Sequence, residues 1–587
     1  MSLCGDLLRE WCGKLLELQI KDVDNPSLKG GILCPACAGI HGRCFDAIYP
    51  FLYLADADQD GRYLEAAKLL FDWAENTVSR EDGSYVNDTN SEWKGITVFS
   101  VIQLLEALEY HGRLLDEETF ERWKARIAKA AEFLCGYREF EVCNVNYRIT
   151  NSLAMQMCGE FLGEERYKQR AREMAGLAAD QLTQDGILFG EGRPVDGFSP
   201  KGCRPVDVGY NMEESLPSLL QYACLAGDEA LKKAAVNAMK RHTLFLAEDG
   251  GMDNSFGTRN YKWTYWGSRT SDGLALGWLL GAEQEPELGA AAFKNLHLLK
   301  SCTHDGFLYG GPHVHEIGEP PCVHHAFSHA KVLAGILDRG LEERLIEGTL
   351  PRMDLRKPYY LEETDTYFIT RNGYTATVTG YDWEYIKLPG GHASGGTLSF
   401  LWQEKAGPVL CAGMGSYSMK EANNMQLPRF GRHECITPRL EYMENGVVYS
   451  SMYDYESRLS CEPGEMADVI TVTGRLSDLN QNKLSGDRGS YRIKYVFENN
   501  RITVSASAEG EVFWILPVVS GHAEAVELEE RVLRIQKEKS QVRIQVLQGE
   551  LELPYGVKRI YNLTPGLEAV KLRIRPSEGE IAFCFSF

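Results

Sequence analysis

Three candidate catalytic side chains stand far apart in the sequence: Tyr210 and His392, which are suited to proton transfer, and Asn151, which is suited to stabilising charge. Tyrosine and histidine can act as acid and base when their surroundings tune the pKa, and an amide can stabilise negative charge that grows in a transition state. His392 lies among four glycines in segment 390–396, which indicates close backbone approach. The plain alternatives are a helix residue at a domain contact, a loop histidine and a helix cap.

A second group of residues suits the binding of an acidic sugar. Arg148 precedes Asn151 in a predicted helix start, and both could hold a carboxylate, although a surface charge and a helix cap explain them equally well. Trp263 and Trp266 could stack on sugar rings, and Arg269 could grip a carboxylate in a bidentate manner. The alternative for the two tryptophans is that they fill the core.

Five histidines fall between positions 313 and 329. His325 and His329 are four residues apart, so one helix face could present both. They could bind a metal, with Glu316 or Cys322 as a further ligand, or line a subsite for an acidic sugar. Because no recognised zinc spacing is present, we expect the wall of a cleft.

Cys34, Cys37, His41 and Cys44 are residue types that bind zinc. Their spacing departs from that of common zinc modules, so we favour small buried thiols beside a helix start. The sequence therefore predicts neither a metal nor a cofactor.

Loop carboxylates leave hydrolysis open as an alternative chemistry. A glycoside hydrolase needs two carboxyl groups, about 5–5.5 Å apart for retention or about 6.5–9.5 Å for inversion. Glu191, Asp196, Glu213 and Asp253 are the candidates. Most loop carboxylates are solvated or cap helices, and the sequence does not say which of them face a cleft.

Two periodicities divide the chain into elements that could position these residues. Residues 1–345 contain about twelve predicted helices with apolar residues at spacings of three and four. Six helical hairpins can bury their inner faces by closing into an (α/α)6 toroid, with the long loops 185–209 and 249–268 at one mouth. After a linker at 346–358, period-two alternation over 359–587 predicts an antiparallel β-sandwich domain.

This order of parts resembles the heparinase II/III-like and alginate-lyase-like polysaccharide lyases. Segment 144–152 looks like the asparagine-bearing helix start that lines the cleft of those lyases. Segment 196–200, followed by Tyr210, is similar to their loop and tyrosine. Segment 390–396 resembles the histidine loop that the sandwich inserts into the cleft. The resemblance implies a toroid and a sandwich around a shared cleft.

Two departures from this pattern bear on the reaction type. No histidine stands between Asp196 and Tyr210. Segment 34–43 looks more like a less studied group with the same layout, which includes exo-acting β-glucuronidases as well as lyases of glucuronate-linked sugars. The resemblance therefore supports the fold and the substrate class better than the reaction.

The resemblance implies a carbohydrate-active enzyme that cleaves uronic-acid-containing oligosaccharides by β-elimination. We expect exo action, because polymers do not reach the cytosol. The alternatives are a glycoside hydrolase of the β-glucuronidase type and a non-catalytic sugar-binding protein.

Composition limits the partners and the location. The formal net charge of −21 argues against nucleic acid, although a few local cations still allow an acidic oligosaccharide to bind. No apolar run is long enough for a membrane span, and no signal peptide is visible. The 16 scattered cysteines favour a reducing cytoplasm. A homo-oligomer is left open.

Overall fold

The computed structural model describes residues 2–385, 388, 390–417, 421, 425–426, 428, 433–484, 488–552 and 557–587. Helices dominate the first part and strands the second, with the change between Asp338 and Tyr359. The helices are α1 Leu3–Leu18, α2 Ile48–Ala57, α3 Gly61–Thr77, α4 Thr97–His111, α5 Glu117–Gly136, α6 Val145–Leu162, α7 Glu165–Ala179, α8 Val208–Tyr210, α9 Leu216–Ala226, α10 Glu229–His242, α11 Leu274–Gly281, α12 Glu287–Ser301, α13 Val314–Ile317 and α14 Val323–Asp338.

Six of these helices form a closed inner ring. Each of α2, α4, α6, α9, α11 and α14 contacts the next one, and α14 returns to α2. Their residues are buried on most sides, as expected for helices that are apolar all round. The outer helices α1, α3, α5, α7, α10 and α12 pack around this ring, and α5 lies against both α4 and α6. This arrangement confirms the predicted (α/α)6 toroid.

Local sequence signals fix where several inner and outer helices begin or end. Asp60, Asp116 and Asp228 accept hydrogen bonds from backbone N–H groups in the first turns of α3, α5 and α10. Gly163 and Gly227 end α6 and α9 in the left-handed conformation that glycine adopts without strain. The hairpins therefore turn sharply, which leaves the long loops to gather at one mouth of the ring.

The second part of the chain is built from antiparallel sheets. One sheet has the order β11-β10-β9-β8-β7, a second β13-β12-β18-β24-β22 with β23 on β24, and a third β14-β15-β16-β17-β25-β21-β20-β19. The strands are β1 Leu33–Cys34, β2 Gly39–Ile40, β3 Trp263–Thr264, β4 Gly267–Ser268, β5 Thr303–His304, β6 Phe307–Leu308, β7 Tyr359–Leu361, β8 Thr366–Arg371, β9 Tyr374–Thr379, β10 Thr397–Gln403, β11 Gly407–Cys411, β12 Arg439–Glu444, β13 Val447–Ser450, β14 Arg458–Glu462, β15 Ala467–Arg475, β16 Ser490–Glu498, β17 Arg501–Ala508, β18 Phe513–Val519, β19 Val526–Glu529, β20 Val532–Gln536, β21 Gln541–Gln548, β22 Glu550–Glu552, β23 Arg559–Asn562, β24 Leu567–Arg575 and β25 Glu580–Ser586.

Strand patterning explains how the sheets pack. Along β16 and β17 buried and more exposed residues alternate, so one face meets the core and the other meets solvent. Strands β9 and β10 are buried on both faces, because the toroid covers the side that would otherwise face water. The predicted sandwich is confirmed. Among the described residues, we find no helix with the length and hydrophobicity that a membrane crossing requires.

A buried ion pair joins the two domains. The Nη1 atom of Arg352 lies 3.1 Å from Oδ2 of Asp253, and both side chains are fully buried. The guanidinium also donates to Thr377 and lies over the rings of Phe368 and Phe400. Asp253 thus lies in the contact between the two domains, and this pairing disfavours its predicted place in a catalytic carboxylate pair.

Removing the positive charge of Arg352 from this domain contact is expected to destabilise the protein strongly. In Arg352→Met, Asp253 is left buried without its partner, which typically costs about 3–5 kcal/mol. Thermal unfolding monitored by circular dichroism measures the effect. Arg122→Met is the control, because Arg122 and its partner Asp72 are half exposed and such pairs contribute about 0–1 kcal/mol. Equal losses in the two variants would contradict the structural role of Arg352.

Candidate active site

Tyr210 is held at the mouth of the toroid by a capped, irregular helix start. Asp207 accepts a hydrogen bond from the backbone N–H of Tyr210 at 2.9 Å and another from Arg259 at 2.6 Å. A π-helical turn at 211–215 follows before α9 begins. Such turns are frequent at functional sites because they redirect side chains. The backbone thereby fixes where the phenol of Tyr210 points.

Two cations and a hydroxyl surround the phenol of Tyr210. The ammonium of Lys262 donates to the Tyr210 oxygen at 2.8 Å, and the hydroxyl of Thr270 lies 3.4 Å from it. The guanidinium carbon of Arg259 lies 3.7 Å from the ring centroid. Positive charge next to a phenol stabilises the phenolate, so Tyr210 is placed where it could exchange a proton.

The same cations bind a carboxylate. Lys262 forms an ion pair with Glu421, and Nη2 of Arg259 lies 3.4 Å from the same carboxylate. The hydroxyl of Tyr261 donates to it at 2.5 Å. We call Arg259, Tyr261 and Lys262 the carboxylate cradle. It shows that the toroid can hold an anion directly beside Tyr210.

A second layer of acidic and amide groups supports the cradle. Glu191 accepts from Arg259 at 3.1 Å and from the backbone of Asn146 at 3.1 Å. Glu214 accepts from the Asn146 amide at 2.7 Å and from Thr270 at 2.7 Å. These bonds restrict Arg259 and Thr270 to single positions, because their partners are themselves buried and bonded.

The β-domain completes the site through Tyr385. Its hydroxyl accepts a hydrogen bond from Asn144 at 2.9 Å, and its ring stacks on Tyr261 with centroids 6.1 Å apart. Asn144 immediately precedes α6, so a loop of the sandwich meets the first turn of an inner helix. The site is therefore shared between the two domains.

Burial controls the ionisation of these groups. It raises the pKa of Tyr210 well above its ordinary value, and Arg259 acts in the opposite direction. Burial lowers the pKa of Lys262 to about 8, while Glu421 opposes the change. Burial likewise raises the pKa of Glu191 to about 7, against the pull of Arg259. Perturbed groups of this kind cluster at functional sites.

A small cavity of about 30 Å³ lies beside the cradle, between the toroid and the β-domain. Toroid residues form one wall and residues of the β-domain form the other. The lining residues are Tyr261, Lys262, Trp263, Thr264, Arg269, Gly310, His325, Tyr417, Met425, Gln426, Leu563 and Thr564.

Several predicted residues meet at this cavity. Trp263, Arg269 and His325 line it, and Tyr210 reaches it through Lys262. Nε and Nη1 of Arg269 are buried without a hydrogen-bond partner in the described part of the chain, so they remain available to an anion. Substrate-binding roles for these residues stay predictions that the geometry permits.

His392 does not share this cavity. Its Nε2 lies 2.8 Å from the carbonyl oxygen of Trp383, and its Nδ1 lies 2.9 Å from that of Ala393. The ring packs beside Tyr381 and Tyr455, and burial lowers its pKa. With both ring nitrogens against carbonyl oxygens, His392 has no free position for a substrate proton. This geometry disfavours the predicted base and assigns His392 to the domain contact.

The predicted carboxylate-holding pair on α6 makes no hydrogen-bond contact with the cradle among the described residues. Arg148 donates to the backbone oxygens of Phe140 and Glu141 and to the side chain of Gln181 at 2.9 Å, so its guanidinium is engaged within the toroid. Asn151 is fully buried, and neither atom of its amide has a hydrogen-bond partner among the described residues. Asn144 and Asn146, earlier in the same segment, are the amides that meet the cradle and its support.

Trp266 and His329 belong to the packed interior. Trp266 is fully buried, donates to the carbonyl of Tyr309 at 2.9 Å and meets the rings of His325 and His329 edge to face. His329 Nε2 lies 3.6 Å from Glu213, whose carboxylate accepts from the backbone N–H of Ser268 at 3.0 Å. This packing disfavours the predicted contact of Trp266 with substrate and favours the alternative that the tryptophan fills the core.

The remaining predicted groups are scattered. Asp196 is exposed at the outer rim of its loop, away from the cradle. His315 stacks on His304, His313 accepts from the backbone of Glu568, and His324 packs on His41. The histidine segment 313–329 thus divides among several environments.

Sequence reasoning missed most of the cradle. Tyr261 and Lys262 immediately precede Trp263, but in this region only Trp263, Trp266 and Arg269 were predicted to bind substrate. Arg259 lies four residues before Trp263, and Asn146 precedes Arg148 by two residues. A usable signal was present, since a lysine between two aromatic residues in a long loop is unusual for a solvated surface. Glu421 carried no such signal.

Comparison with known proteins identifies the relatives of this chain. Residues 8–353 match the family described as the ulvan lyase N-terminal domain, and residues 359–586 match the ulvan lyase C-terminal domain. A broad-specificity ulvan lyase from Formosa agariphila is 37% identical over 585 residues, which cover 98% of this chain and 91% of the relative.

Solved structures share the fold at much lower identity. A chondroitin AC lyase from Streptomyces coelicolor has a TM-score of 0.55 and 12% identity, over 100% of this chain and 78% of that protein. A heparan sulfate lyase variant from Pedobacter heparinus has a TM-score of 0.51 and 12% identity, over 99% of this chain and 82% of that protein. These two likenesses support the fold, and the family match supports the enzyme class.

The resemblance to toroid-and-sandwich polysaccharide lyases is confirmed. A lyase breaks a glycosidic bond by elimination, so the predicted reaction type is confirmed as well, and the match to the ulvan lyase family does not support the glucuronidase alternative. From the match of both domains and the full-length relative, the chain belongs to the ulvan lyase family and is a polysaccharide lyase.

Proposed function

We propose that this chain cleaves ulvan or a similar uronate-containing polysaccharide by β-elimination at the carboxylate cradle. The observation that carries the proposal is the ion pair of Glu421 with Lys262 beside the Tyr210 hydroxyl. Lys262 contacts the carboxylate in the cradle and also donates a hydrogen bond to the hydroxyl of Tyr210, the proposed proton-transfer group. A uronate carboxylate would replace that of Glu421, which has the same charge and shape.

Neutralising the uronate carboxylate is the first requirement of the reaction. When the carboxylate is paired with cations, the neighbouring C5 proton becomes more acidic, because charge that develops on removing it can spread onto the carboxyl group. Arg259 and Lys262 supply two positive charges and Tyr261 an O–H donor, all from a fixed and buried site. Preorganised donors of this kind are worth more than the same groups in water.

Proton transfer is assigned to Tyr210. Burial favours the phenol of Tyr210, whereas the adjacent Lys262 and Arg259 stabilise its phenolate. The phenolate removes the C5 proton, and the phenol so formed delivers that proton to the leaving glycosidic oxygen, which regenerates the phenolate. Tyr210 therefore serves as base and acid within one turnover.

The mode of cleavage is proposed as exo. The groups of the cradle are nearly fully buried, with Tyr210 and Lys262 each 3% exposed. An internal unit of a long polymer needs a groove open at both ends, whereas a chain end can enter a closed pocket. Size-exclusion chromatography of the products over time tests this. Endo action would move the polymer peak to smaller sizes early in the reaction, whereas exo action would release small products while the polymer peak keeps its position. Cytoplasmic location and homo-oligomerisation remain predictions.

One assay tests the proposed reaction directly. Elimination creates a C4–C5 double bond that absorbs in the far ultraviolet, while hydrolysis adds water and creates no chromophore. We expect absorbance to rise with ulvan as the substrate, and mass spectrometry to show products lacking one water relative to hydrolysis. A neutral polysaccharide serves as the control. Reducing ends without a rise in absorbance would overturn the proposal in favour of hydrolysis.

The ionisation of Lys262 predicts an alkaline limit to activity. Its lowered pKa of about 8 means that the free enzyme loses this cation as the pH rises through 8, and the cradle weakens. We expect kcat/KM to fall by about tenfold per pH unit above that point. In Lys262→Arg this alkaline decrease in kcat/KM should vanish, because the guanidinium does not titrate in this pH range. If kcat/KM of the wild type began to fall only near the ordinary lysine pKa of about 10.4, a lowered pKa of Lys262 would be contradicted.

A further inference from the structure

Three cysteines and a histidine from opposite ends of the toroid converge beneath the candidate active site. The ligand atoms of Cys34, Cys37, His41 and Cys322 all lie within 4.8 Å of one another. Three of the residues are buried and Cys37 is half-buried. Cys44, three residues after His41, is buried in the hydrophobic core and does not belong to this group.

The spacing of these atoms fits a tetrahedral metal ion. Zinc binds thiolate at about 2.3 Å and imidazole at about 2.0–2.1 Å, so two ligands of one tetrahedron lie about 3.6–3.8 Å apart. The Sγ atoms of Cys34 and Cys322 are 3.7 Å apart, and Sγ of Cys322 is 3.8 Å from Nε2 of His41. A disulfide would need sulfurs at about 2.05 Å, and all cysteines are free thiols here.

The local fold presents the four ligands without rearrangement. Cys34 and Cys37 flank the turn of the β1–β2 hairpin, where Ala38 adopts a positive φ of 50°. His41 follows β2, and Cys322 is the residue before α14. A hairpin with two cysteines in its turn is a usual support for zinc, because both thiolates point to one side.

Charge balance supports the same conclusion. Three thiolates and a neutral imidazole around a divalent cation leave one net negative charge. Nη2 of Arg269 lies 2.9 Å from Sγ of Cys322 and 3.9 Å from Sγ of Cys37. A buried guanidinium beside the sulfurs compensates that charge, in the manner of outer-shell partners at metal sites.

We propose that Cys34, Cys37, His41 and Cys322 bind one structural Zn²⁺ that closes the toroid and orients Arg269 at the cavity wall. All four positions are taken by protein ligands, which is typical of structural rather than catalytic zinc. Cys34 and Cys322 are 288 residues apart, so the ion ties the first part of the ring to its last helix. Clips that close long loops give large entropic stabilisation.

Metal analysis of the purified, tag-free protein tests the proposal. We expect about one zinc per chain in the wild type and in the control Cys44→Ala, and little zinc in Cys322→Ser and Cys37→Ser. Cobalt in place of zinc should give thiolate charge-transfer bands and the intense visible bands of a tetrahedral site. Chelation should lower the melting temperature of the wild type but not that of Cys322→Ser.

These readouts do not depend on the proposed function. If a variant fails to fold, titration of the wild-type thiols with a mercurial still reports zinc release, measured with a metallochromic dye. A metal-free wild type, a disulfide between Cys34 and Cys37 or Cys322, or unchanged zinc in folded Cys322→Ser would overturn the proposal. A wild-type protein with normal zinc content but no elimination activity would contradict the proposed function of the carboxylate cradle and leave the zinc site unaffected.

Discussion

Tyr210→Phe is expected to abolish turnover while leaving sugar binding nearly unchanged. The substitution deletes the oxygen that accepts a hydrogen bond from Lys262 at 2.8 Å, but keeps the ring beside Arg259. Loss of a general acid–base group typically lowers kcat by about 10²–10⁴-fold. The rate of absorbance increase measures kcat, and calorimetric titration with an oligosaccharide measures binding.

Tyr265→Phe is the matched control for this substitution. Tyr265 lies three residues after Lys262, is as deeply buried as Tyr210, and donates to Asp249 at 2.9 Å, outside the cradle. It should lose some stability but keep kcat. Full activity in Tyr210→Phe would remove Tyr210 from the mechanism, and a loss of affinity that equals the loss of kcat/KM would make it a binding residue.

The overall architecture could be predicted because it depends on periodic signals. Helix periodicity up to residue 345 and alternation beyond it report burial averaged over many residues, so single errors hardly matter. The ring itself follows from six hairpins that need a common core. The irregular start at Tyr210 could not be predicted, because a π-helical turn has no distinct pattern in the sequence.

The site was only partly predictable, because it is made by long-range contacts. Tyr385 and Glu421 reach the toroid from the other domain, and no local pattern links them to Asn144 or Lys262. The same limit explains the zinc ligands. The sequence offered Cys44 as the fourth ligand because it is near, whereas the fold brings Cys322 from the far end of the ring.

His392 shows a related limit of prediction from sequence. Glycines around a histidine indicate close backbone approach, and that part is right, since Ala393 donates to the carbonyl of Ser255 across the domain contact at 3.0 Å. Close approach can serve packing as well as catalysis, and sequence does not distinguish them. The orientation of the ring decides, and both of its nitrogens face carbonyl oxygens.

Lys262→Met is expected to lower kcat/KM by about 10²–10³-fold, as for the loss of one preorganised group that stabilises charge. Lys262 contacts both the Tyr210 oxygen and the bound carboxylate, so its removal weakens charge neutralisation and phenolate stabilisation together. Methionine keeps the apolar stem of the side chain, which lies in a fully packed environment. Initial rates at several substrate concentrations separate kcat from KM.

A substrate with its uronate carboxyl groups esterified identifies the group that Lys262 recognises. The wild type should lose much of its activity on this substrate, because the ester carries no charge for Lys262 and Arg259 to bind. Lys262→Met should then lose little more on the ester than it already loses on the acid, since both changes remove one interaction. Additive losses would show that Lys262 acts on Tyr210 alone, and the cradle would need another occupant. Lys262→Arg should fall between these limits, because it keeps the charge but moves it away from the phenol.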